Sequence, residues 1–345
     1  MKLMGNMIII TLIIFVFCIG DGCKKDDPVA PTDTTHLKDT TSHEFRWKID
    51  TIGTSQTDIE DVWGSSDSDV YAVGTIYWPG RQTLVNIIHW DGDKWSLVDY
   101  SMGDLSSIFG LSNNDIWSVG YWVVYPDFYA LISHWDGAVW NTWKFQQYPD
   151  LYSVWGTSSA NLYAVGSKGA ILKFDGVQWQ SLPSGVGENI KGIWGVSGNE
   201  IYAVGNYPLN DTGVVLKYDG NRWNKIIENT FKTDIPSGEM AAVWGANHNG
   251  FLIGTHVGHD SSWGSFGWPN DDTYIDKIRG TGSNNIFACG SFDLIMHYNG
   301  KTFKRYDFYK KPNGGRLTGI FVTEKSVFIV GQSENSRGIV YRGYQ

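Results

Sequence analysis

Apolar and polar residues alternate along most of this chain in short bursts, not at the three-to-four spacing of an amphipathic helix, and the bursts recur. Seven segments share one pattern: an aliphatic, usually an aromatic, usually Gly, a polar turn, then a run that ends in Gly. They extend from Val62-Trp63-Gly64 to Gly74, Ile108-Phe109-Gly110 to Gly120, Val154-Trp155-Gly156 to Gly166, and Ile193-Trp194-Gly195 to Gly205. Val243-Trp244-Gly245 to Gly254, Ile278-Arg279-Gly280 to Gly290, and Ile320-Phe321-Val322 to Gly331 complete the set. The closing glycines are 36 to 49 residues apart. A second pattern follows in five units: aromatic, Asp/Asn-Gly, two residues, aromatic. It reads Trp90-Asp91-Gly92 with Trp95, Trp135-Asp136-Gly137 with Trp140, Phe174-Asp175-Gly176 with Trp179, Tyr218-Asp219-Gly220 with Trp223, and Tyr298-Asn299-Gly300 with Phe303. Asp-Gly and Asn-Gly supply the positive φ of a tight hairpin, and the flanking runs have strand composition. Each unit therefore predicts a meander of four short strands, a to d, expected in the first unit at 59–63, 70–74, 84–90 and 95–98.

A repeat of this kind predicts an all-β chain folded as a seven-bladed β-propeller of four-stranded blades. The last unit reaches Gly338-Ile339-Val340-Tyr341-Arg342-Gly343 and stops at Gln345, where strand d should begin. Phe45-Arg46-Trp47-Lys48-Ile49 matches Lys94-Trp95-Ser96-Leu97-Val98 in pattern. An N-terminal strand that completes the last blade would close the ring and remove its open edges. The repeated aromatics Trp63, Trp155, Trp194, Trp95, Trp140, Trp179 and Trp223 are expected in the core between blades.

The Asp/Gly turn followed by an aromatic between strands c and d resembles the Asp-box (BNR-like) propellers, including the photosystem II stability and assembly factor type, over residues 45–345. The resemblance implies the fold and an assembly-scaffold role. A WD-repeat pattern fits less well because Trp90-Asp91 falls in a turn, and the double glycine of kelch repeats is absent from the unit.

Composition agrees: 15% of residues are aromatic and 41 are glycine, which suits short strands and turns. A net charge of −9 argues against nucleic acid as a partner. Ahead of the repeats, Lys2 precedes an apolar run at 8–19 that would rise about 18 Å as a helix, short of a ~30 Å hydrocarbon core. It reads as a secretory signal. With Gly20-Asp21-Gly22-Cys23 it resembles a bacterial lipoprotein signal, 1–22, with Cys23 as the acylated residue and Lys24-Lys25-Asp26-Asp27 resembling a tag for export to the outer face of an outer membrane. Residues 23–44 form the expected stalk and 45–345 the propeller. Cys289 sits in an apolar stretch and is expected to be inert packing.

In a meander the a–b and c–d turns share one face and the b–c and d–a loops the other. Turn lengths on the first face hardly vary, whereas the b–c loops differ widely. That makes the b–c/d–a face the candidate binding surface. Its ligand-binding candidates are Tyr77, Trp78, Arg81, Tyr121, Trp122, Tyr125, Phe128 and Tyr207, together with Trp263 and Trp268 of the fifth unit, which lacks an Asp-Gly turn. Aromatics mixed with amides and carboxylates suit a glycan or an envelope protein. His256, His259 and Asp260 match no metalloprotease spacing, and Gly258 marks a loop there, so neither a metal nor a cofactor is assigned. Glu60, Asp61 and Asp276 fall where strand a would line a central channel, as an acid–base pair of a glycoside hydrolase or lyase would require. Small residues dominate that column, however, and no catalytic residue is assigned. The expected function is a non-catalytic binding lipoprotein of the cell surface, with an envelope assembly scaffold and a propeller enzyme as alternatives.

Overall fold

The computed structural model describes residues 40–206, 213–228, 241–247, 250–254, 256–259, 262–268, 274–308 and 314–345. The expected signal peptide, Cys23 and most of the stalk lie outside them. The strands form seven antiparallel four-stranded sheets. Six of these are built from four consecutive strands: blade 1 (58–97), blade 2 (104–145), blade 3 (151–181), blade 4 (189–228), blade 5 (243–265) and blade 6 (275–305). A tally of consecutive-strand blades stops at six. The seventh sheet is composite, its three strands from 316–344 being joined by the N-terminal strand Arg46–Ile52, which pairs with Gly338–Tyr344 from Arg46↔Tyr344 to Ile52↔Gly338. Each innermost strand adjoins that of the next blade, and the strand of blade 7 adjoins that of blade 1, so the ring is closed.

Blade 5 departs from expectation. His256–His259 is not a loop but the third strand of a complete sheet, paired with Gly250–Ile253 and with Ser262–Ser265. Pairing on both sides, not an Asp-Gly turn, defines the blade.

Three features of the repeat acquire physical causes. First, the Asp/Asn-Gly turn closes strand c onto strand d. Asp91 Oδ1 accepts hydrogen bonds from the Asp93 and Lys94 amides, both at 2.9 Å, and Asp136, Asp175, Asp219 and Asn299 repeat the arrangement. The glycine that follows has φ between 91° and 97° in all five turns. The flanking aromatics become cross-strand neighbours, from Trp90 and Trp95 at 5.7 Å between ring centroids to Tyr298 and Phe303 at 4.7 Å.

Second, the glycine that ends strand b is demanded by a bulge in strand a. Asp58, Asp104, Asp150, Asn189, Tyr274 and Arg316 bring their carbonyl oxygens to 1.9–2.1 Å from where a Cβ would stand on Gly74, Gly120, Gly166, Gly205, Gly290 and Gly331. Third, the aromatic-Gly pair works between blades. A Cβ on Gly110 would lie 2.5 Å from the Trp63 ring, one on Gly195 2.5 Å from Trp155, and one on Gly64 2.7 Å from Phe321 across the closure. Blade 6 carries Arg279 in place of the aromatic, and blade 7 correspondingly carries Val322 in place of the glycine.

The closure has its own lock. Arg342 donates to both carboxylate oxygens of Asp50 in the N-terminal strand, one bond measuring 2.8 Å, and its guanidinium lies 4.0 Å from the ring centroid of Trp90 in blade 1. Trp95 of blade 1 also donates to Asp50, at 3.2 Å. One buried ion pair thus joins both chain ends to the first blade. The chain reaches this strand over blade 6. His43 Nδ1 meets His297 Nδ1 at 2.9 Å, Tyr306 donates to the His43 carbonyl at 2.7 Å, and Lys304 pairs with Glu44 at 2.9 Å.

Candidate functional site

Two regions stand apart from the repeat: the elaborated loop face and the channel at the centre. On the loop face the b–c hairpin of blade 2 outgrows the others, with strands Asp115–Val124 and Asp127–Trp135 joined through Tyr125-Pro126. Its tip exposes Val123, Val124, Tyr125 (92%) and Phe128 (51%). Tyr77 is also exposed. These are bulky apolar groups in water at the end of a regular ladder, where no core requires them.

Other candidates are placed differently. Trp268 is buried (3%) in the core of blades 5 and 6, against Phe266 and Phe303, which corrects its assignment to the binding surface. Trp78 packs against the core of blade 1. Trp122 is half-buried, and the Lys144 ammonium lies 3.1 Å from its ring centroid, so one face is covered. Arg81 is exposed and 3.8 Å from an exposed Asp99, an arrangement worth little in water. Tyr121 sits beside Asp104; burial first, then the hydrogen bond to that carboxylate, pushes its phenol up to about 12. Tyr207 lies outside the described residues, as do Asp260 and the side chains of His256, His259 and Trp263. Among the described residues, no group of three or more His, Cys, Asp or Glu is placed to hold a metal ion.

The channel is produced by the bulges. In strand a of blade 1, Ile59 pairs with Gly74 and Asp61 with Val73, which leaves Glu60 as the extra residue. The same step occurs at Ser106, Tyr152, Lys191, Asp276 and Thr318. Together with Ala241 these residues, one from each blade, line a cavity of about 280 Å³. It lies near the start of the innermost strands, and so toward the elaborated face.

The lining is strongly polar and divided by sign. Lys191, Lys277, Arg279 and Arg316 supply positive charge, while Glu60 and Asp276 supply negative charge. Arg316 and Lys277 make ion pairs here. Arg316 binds Asp276 Oδ1 at 2.5 Å, and Lys277 reaches Asp61 Oδ2 at 2.9 Å. Asp61 also accepts from Ser107 Oγ at 2.8 Å and from the Ile108 and Val62 amides. Its Oδ2 is taken up in joining blades 1, 2 and 6, which suits a structural staple. Burial pushes Glu60 up to about 7, with repulsion from Asp58 as the next cause and Arg316 opposing. Burial lowers the pKa values of Lys277 and Arg279, and it raises that of Cys289, whose thiol is enclosed and donates to the Leu317 carbonyl.

Of the expected channel residues Glu60, Asp61 and Asp276, the first and last line the cavity and Asp61 is buried behind Lys277, while Lys277 and Arg279 line it without having been singled out in the sequence. The signal was present. Blade 6 breaks two columns of the repeat at once, with Lys277 where most other blades have a small residue and Arg279 where they have an aromatic.

No protein-family model matches the chain, and no curated protein does. Solved structures do resemble it. A structure titled YCF48 bound to D1 peptide aligns with a TM-score of 0.63 at 16% identity, covering 91% of this chain and 99% of the other. YCF48 from Cyanidioschyzon merolae aligns at 0.58 and 15%, covering 86% and 98%. The WD40 β-propeller domain of Doa1 aligns at 0.61 and 13%, covering 87% and 97%. At these identities the likeness is one of fold, and the fold is an all-β propeller with four-stranded blades.

Proposed function

We propose that the protein is a non-catalytic, envelope-anchored lipoprotein that binds another protein on its b–c/d–a face. The observation that carries this reading is the apolar tip of the blade 2 hairpin, Val123, Val124, Tyr125 and Phe128, held out on a rigid ladder. A glycan would need flat, uncovered rings, and Trp78, Trp122 and Trp268 are packed, covered or buried. Among the fold's relatives, a YCF48 structure is titled as bound to a peptide, which supports a protein partner here. The entry of the chain supports the orientation. The residues before the N-terminal strand are held at Asn284 and Thr302, in the a–b and c–d turns of blade 6. A tether through Cys23 would attach on that side and leave the elaborated face directed away from the membrane.

The test is site-specific photocrosslinking in intact cells, with the probe at Tyr125 and, as control, at Val177, which is 86% exposed on the opposite face. The expected result is one defined protein adduct from position 125 and none from 177, lost when Val123→Ser and Phe128→Ser are added to the probe-bearing chain, provided that variant melts as the parent does. Equal labelling from both positions, or an adduct that survives the double substitution, overturns the proposal.

A further inference from the structure

Arg279 lines the channel with backbone carbonyls as its hydrogen-bond partners among the described residues. Its Nη1 donates to the carbonyls of Ile278 at 2.8 Å and Val243 at 3.4 Å. Among the described residues, no carboxylate stands within ion-pair distance of it. Three residues earlier in the same strand, Asp276 accepts from Arg316 at Oδ1, whereas its buried Oδ2 has no hydrogen-bond partner. Both facts concern the lining of one cavity, and each is costly without a ligand. Among the described residues a largely enclosed guanidinium has no carboxylate at ion-pair distance, and a buried carboxylate oxygen lacks a donor. The lining gathers four cations in a chain whose net charge is −9, and among them Arg279 has no carboxylate at ion-pair distance among the described residues, which favours an anion beside it.

We infer that the channel is a binding site for a compact organic acid, whose carboxylate is taken by Arg279 and Lys277 and whose neighbouring hydroxyl or ammonium group donates to Asp276 Oδ2. Arg279 has further N–H donors in a planar fork that suits a carboxylate, and Lys277 has protons left beyond the one directed at Asp61. The volume of about 280 Å³ stands at the small end of ligand pockets and suits a molecule the size of a monosaccharide or an amino acid. Blade 6 accounts for the site's position. It alone places long cations at both of these strand-a positions, and the blades beside it offer Ala242 and Gly319 at the level of Lys277, small residues that leave the centre of the ring open.

The experiment is calorimetric titration of the purified chain with D-glucuronate, L-glutamate and citrate, and with D-glucose and ethanolamine as controls lacking a carboxylate. At least one acid is expected to saturate a single site below about 1 mM and to weaken with added salt; glucuronate and glutamate separate a hydroxyl donor from an ammonium donor. Arg279→Met should weaken that acid at least tenfold, with Arg279→Lys recovering part of the loss. Asp276→Asn should reduce the preference for the donor-bearing acids over acetate. A flat response to all three acids up to about 10 mM overturns the inference, as does binding that Arg279→Met leaves unchanged. Should Arg279→Met fail to fold, unaltered selectivity in Asp276→Asn overturns it independently.

Discussion

Replacing Asp50 with Ala tests whether the ring is locked where its two chain ends meet. The side chain of Arg342 is 7% exposed and that of Asp50 25% exposed, so the substitution leaves a buried guanidinium facing an empty carboxylate position. Breaking a buried pair by removing one partner costs about 3–5 kcal/mol. The partial exposure of Asp50 places this case at the lower end, about 3 kcal/mol, with the lost Trp95 bond included. An unfolding entropy near ~2.1 cal/mol/K per residue over roughly 300 residues turns that into a fall in melting temperature of about 5 °C. The assay is differential scanning calorimetry of the parent, Asp50→Ala, Arg342→Met and the double variant Asp50→Ala/Arg342→Met. Removing both charges abolishes the unpaired ion, so the double variant should melt above Asp50→Ala despite carrying one more change. A melting temperature for Asp50→Ala within about 1 °C of the parent would refute the lock, and so would strictly additive effects in the double variant.

Two further outcomes follow from the packing. Gly110→Val should lower stability by about 1–3 kcal/mol or more because its Cβ would stand 2.5 Å from the Trp63 ring, and adding Trp63→Leu should restore much of the loss, as a urea titration would show. The contact between His43 and His297 should make the attachment of the segment before the N-terminal strand to blade 6 acid-labile. Burial first, then the charges of His43 and Lys304, push His297 down to about 3, and burial lowers His43 as well. The unfolded chain therefore binds these protons more readily, so their contribution is complete above the ordinary histidine value near ~6.5 and is lost as pH falls from there toward 3. His297→Gln should flatten the dependence of melting temperature on pH across that window; a slope equal to the parent's would count against the pairing.

The repeat unit was legible because its causes are local. An Asp-Gly turn, an aromatic four residues past the aspartate and a glycine at the end of strand b each report a constraint between close neighbours in sequence. The strand ends were less so. Strand a of blade 1 runs Asp58–Ser66, beyond the expected 59–63, because the bulge and the a–b turn lengthen the ladder. In blade 5 the composition of His256–His259 points to a loop, but pairing with the strands on either side makes it extended. The binding candidates on the loop face were an undifferentiated set of aromatics in the sequence, and burial sorted them. Tyr125 stands in water while Trp268, of similar apolar character, lies under blade 6.

What the chain determined alone was the blade, its turn chemistry and the face on which loops vary, because these depend on residues within about one repeat of each other. The tertiary structure decided which side chains share the centre. Lys277 and Asp61 are 216 positions apart and meet at 2.9 Å only because the ring brings blade 6 within reach of blade 1. An unpaired Arg279 likewise has meaning only once the other walls of the channel are in place. Charge compensation in a closed ring is a property of the whole set of blades, and no window along the sequence contains it.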